Sequence, residues 1–140
     1  MATVFSRIIS GELPGRFIYR DDDVVAFLSI DPVALGHTLV VPVEEVDAWV
    51  EAPPQLWARL NEVAQQVGRA MVQVTGAARA GYLIAGFEVP HLHIHVFGAD
   101  DMSGYDLGAT VEVSDAQADE VAERLRAALR DMGVEHVPAS

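Results

Sequence analysis

The chain of 140 residues contains no cysteine. Disulfides, thiolate nucleophiles and cysteine-ligated zinc are therefore excluded. Lysine is absent too, because all nine basic residues are arginine. That removes the P-loop, whose lysine reaches the phosphates, and any Schiff-base mechanism. Basic charge is scarce altogether: 9 cationic against 21 acidic residues leaves a net charge of −12. Such a chain repels a phosphate backbone at long range, so no nucleic acid polymer is expected as a partner. A small anionic ligand requires a site that is locally positive. No apolar run approaches a membrane span, and no membrane partner is expected. The start, MATVFSRIISGE, lacks a basic stretch followed by an apolar block, so no secretory signal is read there. The expected location is cytoplasmic. No G-x-S-x-G elbow surrounds any serine.

The remaining patterning predicts one α+β domain over residues 1–140, with a mostly antiparallel sheet of about five strands, a long helix and a C-terminal helix. Val4, Phe5, Ile8 and Ile9 recur at helical spacing, giving a short helix over 3–10 ended by Gly11. Strands are predicted over 16–20, 24–30, 37–41 and 81–88, and a fifth from His91 onward. The run Asp21-Asp22-Asp23 reads as a tight solvated turn, and Trp49 as the apolar anchor of an otherwise polar stretch. Pro53-Pro54 suits a helix start, and Leu56, Leu60, Val63, Val67 and Met71 mark an amphipathic helix over 54–75 that Gly76 caps. Residues 100–110 read as a loop. Ser114 caps the last helix, with Val121, Leu125, Ala128 and Leu129 as its buried stripe.

Five histidines exist in the chain, and three stand at alternate positions in His91-Leu92-His93-Ile94-His95. On a strand their side chains share one face, roughly 6.6 Å apart, while Leu92, Ile94 and Val96 share the other. Imidazole titrates near neutrality, so such a row can offer a neutral nucleophile beside hydrogen-bond donors. That chemistry suits attack on phosphorus, with neighbours stabilising charge on the phosphoryl oxygens. His37, opening another strong strand, is a fourth member that could orient the cluster. A purely structural role for three adjacent imidazoles carries charge repulsion or unsatisfied nitrogens. A metal-dependent hydrolase is the other reading of the same residues, since three imidazoles can hold zinc with an open position. Glu88 is the nearest carboxylate.

Residues His91–Phe97 match the motif His-x-His-x-His-x-x with apolar x, and GHTLVVP, VFSRIISGELP and DDDVVAFLSIDP precede it in order. Together these segments, over about residues 3–98, resemble the histidine-triad (HIT) family. The resemblance implies a nucleotide hydrolase or transferase acting at an α-phosphate of a phosphoramidate, dinucleoside polyphosphate or similar conjugate. His93 would attack and form a nucleotidyl-histidine. His95 would contact the phosphate or leaving group, and His91 and His37 would position the nucleophile. Phe5, Ile9, Phe27, Ser29, Ile30 and Glu88 would contact the nucleotide. A homodimer through the 54–75 helix and the 81–88 strand is implied, with no cofactor and no metal. Two departures bear on activity: Phe87 stands where the family often has a phosphate-contacting glutamine, and Ser29 where an acid grips the ribose. Thr3 and Ser6 stand where some members have zinc-binding cysteines. A nucleotide-binding module with little catalysis is the alternative these departures raise.

Overall fold

A computed structural model describes residues 2–140. A short helix α1 (Val4–Ile9) is followed by strands β1 (Phe17–Arg20), β2 (Val24–Leu28) and β3 (Thr38–Pro42). The long helix α2 (Pro54–Thr75), strands β4 (Arg79–Leu83) and β5 (Ile94–Ala99), and helix α3 (Asp115–Asp131) complete the order. The five strands form one sheet in the order β1-β2-β3-β5-β4, with every neighbouring pair antiparallel. This is the α+β architecture that the patterning predicts. No helix among the described residues is long and apolar enough to cross a membrane.

Both faces of this sheet are covered, which is why VVAFL in β2 reads as an unbroken apolar run and is buried throughout. Val24, Ala26 and Leu28 join Val40, Ile94 and Val96 beneath α2 and α3 in the larger core. Val25 and Phe27 point the other way, against Leu39, Val41 and the Phe5 and Ile8 of α1. Period-two alternation thus assigns each strand residue to one of two cores. α2 delivers Leu60, Val63, Val67 and Met71 to the larger one. Its ends fall at Pro54 and at Gly76, whose φ of 71° is a left-handed cap open to glycine at little steric cost. α3 starts with a reciprocal capping box between Ser114 and Gln117.

Several expectations need correction. β2 stops at Leu28, so Ser29 and Ile30 lie beyond the sheet. β4 ends at Leu83 instead of Glu88. The register pairs Leu83 with His95, but the chain ahead of β5 is engaged elsewhere: Leu92 N–H donates to the Val46 carbonyl at 2.7 Å. With no partner ladder, residues 84–90 leave the sheet, turning at Gly86 (φ 80°). His91 and His93 accordingly precede the strand, and only His95 lies in it. Asp21 is not fully solvated: it pairs with Arg59 at 2.9 Å and accepts from Tyr19. Trp49 is no buried anchor but a 49 % exposed ring stacked on Trp57.

Candidate active site

The side-chain alternation predicted for the histidines survives although the strand is shorter. Leu92, Ile94 and Val96 enter the larger core. His95 lies opposite Leu39, and His37, two residues earlier in the same direction, falls on the same face. The imidazoles form a row, with ring centroids 4.9 Å apart from His93 to His95 and 5.2 Å from His95 to His37. Phe5 of α1 closes the other end, edge-on to His93 at 4.8 Å and to His91 at 5.8 Å.

Hydrogen bonds assign the tautomers along this row. The Val33 backbone N–H donates to His37 Nδ1 at 3.0 Å. His37 must then carry its proton on Nε2, which donates to His95 Nδ1 at 3.0 Å. The neutral His95 ring consequently keeps a proton on Nε2. His93 is arranged the opposite way: its Nδ1–H donates to the His91 carbonyl at 2.8 Å, leaving the Nε2 lone pair free. His91 uses both nitrogens structurally, Nε2–H donating to the Pro42 carbonyl and Nδ1 accepting from Thr3, each at 2.7 Å. His37 is therefore bonded to His95; no hydrogen bond joins it to His93 among the described residues.

Burial reinforces these neutral forms. It pulls the His37 and His95 pKa values down to about 4, and the neighbouring imidazoles lower both further. His93 is also pushed below its ordinary value, by burial first, against the opposing effect of its bond to the His91 carbonyl. The site thus holds a neutral lone pair on one ring and a fixed N–H on the next.

These groups line a cavity of about 320 Å³. Of the residues singled out in the sequence, His93, His95, His37, Phe5, Phe27, Ser29, Ile30 and Glu88 all border it. His91 and Ile9 do not. His91 is fully buried behind the row. Ile9 is turned away because one step along a helix rotates a side chain by about 100°; Val4, Phe5 and Ile8 face the cavity in its place. His93, only 6 % exposed, sits on the floor and not on an open surface. The rim carries two exposed apolar side chains, Ile30 (84 %) and Phe87 (95 %). Asp31 and Leu107 also border the cavity. The Asp31 N–H donates to Ser29 Oγ at 3.2 Å across the turn that follows β2. A larger concavity of about 940 Å³ lies between α2 and β4, but it contains no histidine.

Among the described residues no arginine borders the histidine cavity, and the charged side chains that do are Asp31 and Glu88. Arg16, in the neighbouring crevice beside Ser29 and His37, is held by Asp119 at 2.7 Å and Asp115 at 3.2 Å. Convergent nitrogens for a metal are not offered by the triad, because His91 spends both of its own and His93 spends Nδ1 on a carbonyl. This weighs against the metal-dependent reading on geometric grounds. Thr3 and Ser6 offer hydroxyls, which are not among zinc's ordinary ligands, and those hydroxyls are already engaged by His91 and Glu45.

An antiparallel sheet whose interior strand β5 is entered through a row of proton-ordered histidines is the arrangement of the histidine-triad class. The HIT domain family model matches residues 10–102. An uncharacterised HIT-like protein of Methanocaldococcus jannaschii is 32 % identical over 130 residues, covering 88 % of this chain and 98 % of its own. A protein of Arabidopsis thaliana named adenylylsulfatase is 32 % identical, across 66 % of this chain and 50 % of its own length. The crystal structure of a zinc-bound histidine triad family protein from Mycobacterium smegmatis superposes with a TM-score of 0.80 at 29 % identity, covering 95 % and 96 % of the two chains. This chain belongs to the HIT family, a family of nucleotide-binding hydrolases and transferases.

Proposed function

We propose that this chain cleaves a nucleotide conjugate at its α-phosphate, with His93 Nε2 as nucleophile. The observation that carries this reading is the opposed proton order of neighbouring rings: a free lone pair on His93 beside a committed N–H on His95. His93 Nε2 attacks phosphorus and the bond to the leaving group breaks, giving a nucleotidyl-histidine whose Nδ1–H stays on the His91 carbonyl. His95 Nε2–H donates a hydrogen bond to the phosphoryl oxygen or leaving atom and keeps its proton, since losing it would leave an imidazolate. Water entering through the open mouth resolves the intermediate, and solvent protonates the leaving group there. Phe5, Ile8 and Phe27 form an apolar slot for a flat base.

Charge supports a narrower substrate class. Among the described residues Asp31 and Glu88 border the cavity and no arginine does, so a tetraanionic polyphosphate bridge is repelled. A singly charged α-phosphate joined to an amine suits the site better, and Phe87 and Ile30 at the rim would shelter an apolar amine substituent. The test is a panel of nucleoside phosphoramidates, dinucleoside polyphosphates and adenylyl sulfate, the last included because of the named relative. We expect kcat/KM for an aromatic phosphoramidate to exceed that for a dinucleoside polyphosphate by about a hundredfold. Equal rates, or a polyphosphate preference, overturn the class assignment.

Phe87 favours a second reading, a binding module with little turnover, because it places an exposed ring where the family resemblance implies a polar phosphate contact. Tight nucleoside monophosphate binding by calorimetry with no turnover on the panel would select it. We further infer a homodimer through α2 and β4. β4 is a sheet edge, and the groove beside it is lined by Ala64, Gly68, Ala80 and the 45 % exposed Tyr82. Sedimentation equilibrium giving a monomer at micromolar concentration would remove that inference.

A further inference from the structure

We propose that Thr3, Ser6 and Glu45 form a polar brace that positions His93 through His91. The proposal rests on the reading of His93 as nucleophile and extends it to residues that never reach the cavity.

The segment carrying His91 and His93 has no strand ladder to hold it, since β5 begins at Ile94. Yet the carbonyl of His91 is what fixes the His93 tautomer. Something must therefore hold residue 91. Its ring is fully buried and anchored at both nitrogens. Because Nε2–H is committed to the Pro42 carbonyl, the neutral ring presents a lone pair at Nδ1, and the Thr3 hydroxyl is the group that donates to it. With its proton spent, Thr3 Oγ1 accepts the Ser6 backbone N–H at 3.1 Å as the N-cap of α1. The Ser6 hydroxyl lies 3.2 Å from Thr3 Oγ1 and donates in turn to Glu45 Oε1. Glu45 immediately precedes Val46, whose carbonyl takes the Leu92 N–H. The 45–46 segment thus grips residues 91–92 twice, once through side chains and once through the backbone. The same brace orients the start of α1, whose Phe5 packs on His91 and His93.

A cap that merely starts α1 would affect stability and nothing else. A brace makes a different prediction. Thr3→Val removes the donor to His91 while keeping the side-chain shape, and it should lower kcat about tenfold or more with KM nearly unchanged. Thr3→Ser, which keeps the hydroxyl, should restore kcat to within about threefold. Glu45→Gln leaves the cap intact, so its expected loss of about threefold is independent of helix formation. Imidazole nitrogen NMR reads the same effect without turnover: His93 should show a protonated Nδ1 in the wild type and mixed tautomers in Thr3→Val. The acid limb of kcat/KM should move to lower pH in Thr3→Val, because the carbonyl bond that favours protonated His93 is weakened.

Wild-type kcat and an unchanged His93 nitrogen spectrum in both Thr3→Val and Glu45→Gln overturn the brace. A wild type inactive on the substrate panel, but with tautomers that respond to Thr3→Val, overturns the catalytic reading and leaves the positioning role supported.

Discussion

Residues 92, 94 and 96 enter one face of the sheet and residues 91, 93 and 95 the other, so six consecutive positions feed two regions of opposite character. The first lies beneath the 22-residue α2 and the 17-residue α3 and is largely apolar, its buried Thr38 hydroxyl donating to the Gly36 carbonyl. The second lies beneath a helix of only 6 residues and keeps a cavity of about 320 Å³. Coverage is the difference. A thick layer covers most of one face, leaving a groove between α2 and β4, whereas α1 covers only part of the other and leaves the histidines between protein and solvent. Burial is deep enough there to hold the imidazoles neutral, and the opening is wide enough to admit a ligand.

Adjacent substitutions can break this contrast most directly. His93→Ala should reduce turnover by about a thousandfold or more, the scale associated with removing a nucleophile, while shifting the thermal midpoint little, because it enlarges a cavity already present. Retention of wild-type hydrolysis would remove His93 from the mechanism. The next residue should behave in reverse. Ile94 is fully buried in the larger core, so Ile94→Ala should cost about 2–5 kcal/mol of stability and lower Tm by on the order of 10 °C. Its kcat measured well below that midpoint should stay near wild type. A large kcat loss without a stability loss would mean that the two faces are not separable.

Acid sharpens the same contrast. His37 and His95 titrate at about 4 in the folded chain, against about 6.5 unfolded. Between those values the unfolded chain binds more protons, so stability is full above about pH 6.5 and declines as pH falls toward about 4. The decline should amount to about 7 kcal/mol at most for the two groups together, and His37→Gln should flatten it. Urea midpoints at neutral and mildly acidic pH measure the slope. An identical slope in the variant would show that the loss arises elsewhere.

The smallest expected effect concerns ribose. Ser29 lacks the charge that grips a diol strongly, and the Asp31 carboxylate is exposed. Discrimination between ribose and 2′-deoxyribose monophosphates should stay below about tenfold, or roughly 1.4 kcal/mol. Asp31→Asn should reduce it further. Matched dissociation constants decide, and a hundredfold ribose preference would contradict the argument from Ser29.

Much of this arrangement was legible in the sequence. Pro54 and Gly76 punctuate α2 because proline and glycine act through local backbone geometry. The histidine alternation was legible because a period of two belongs to the extended chain even where no ladder forms. The end of β4 was not, since GYLIAGFE is apolar enough for a strand and the competing partner for residue 92 is Val46, distant in sequence. The place of Asp31 at the cavity is not legible from an extended reading of residues 29–31, because the chain turns there, with the Asp31 N–H on Ser29 Oγ. The link from Thr3 to His91 spans 88 positions, and neither residue alone announces it. Ile8 and Ile9 are both apolar at helical spacing, and only the docking of α1 decides that Ile8 faces the cavity.

The donor at the head of the imidazole row is the main-chain N–H of Val33. Nearly every amino acid at position 33 carries that same atom, so most exchanges there leave the instruction intact, and only proline erases it. The direction in which His37 and His95 hold their protons is consequently inherited through the path of the chain, where the alphabet of side chains does not record it. Among relatives, position 33 can vary freely in letter while remaining constant in chemistry, and a ranking of positions by sequence constancy would pass over the group that sets the polarity of the site.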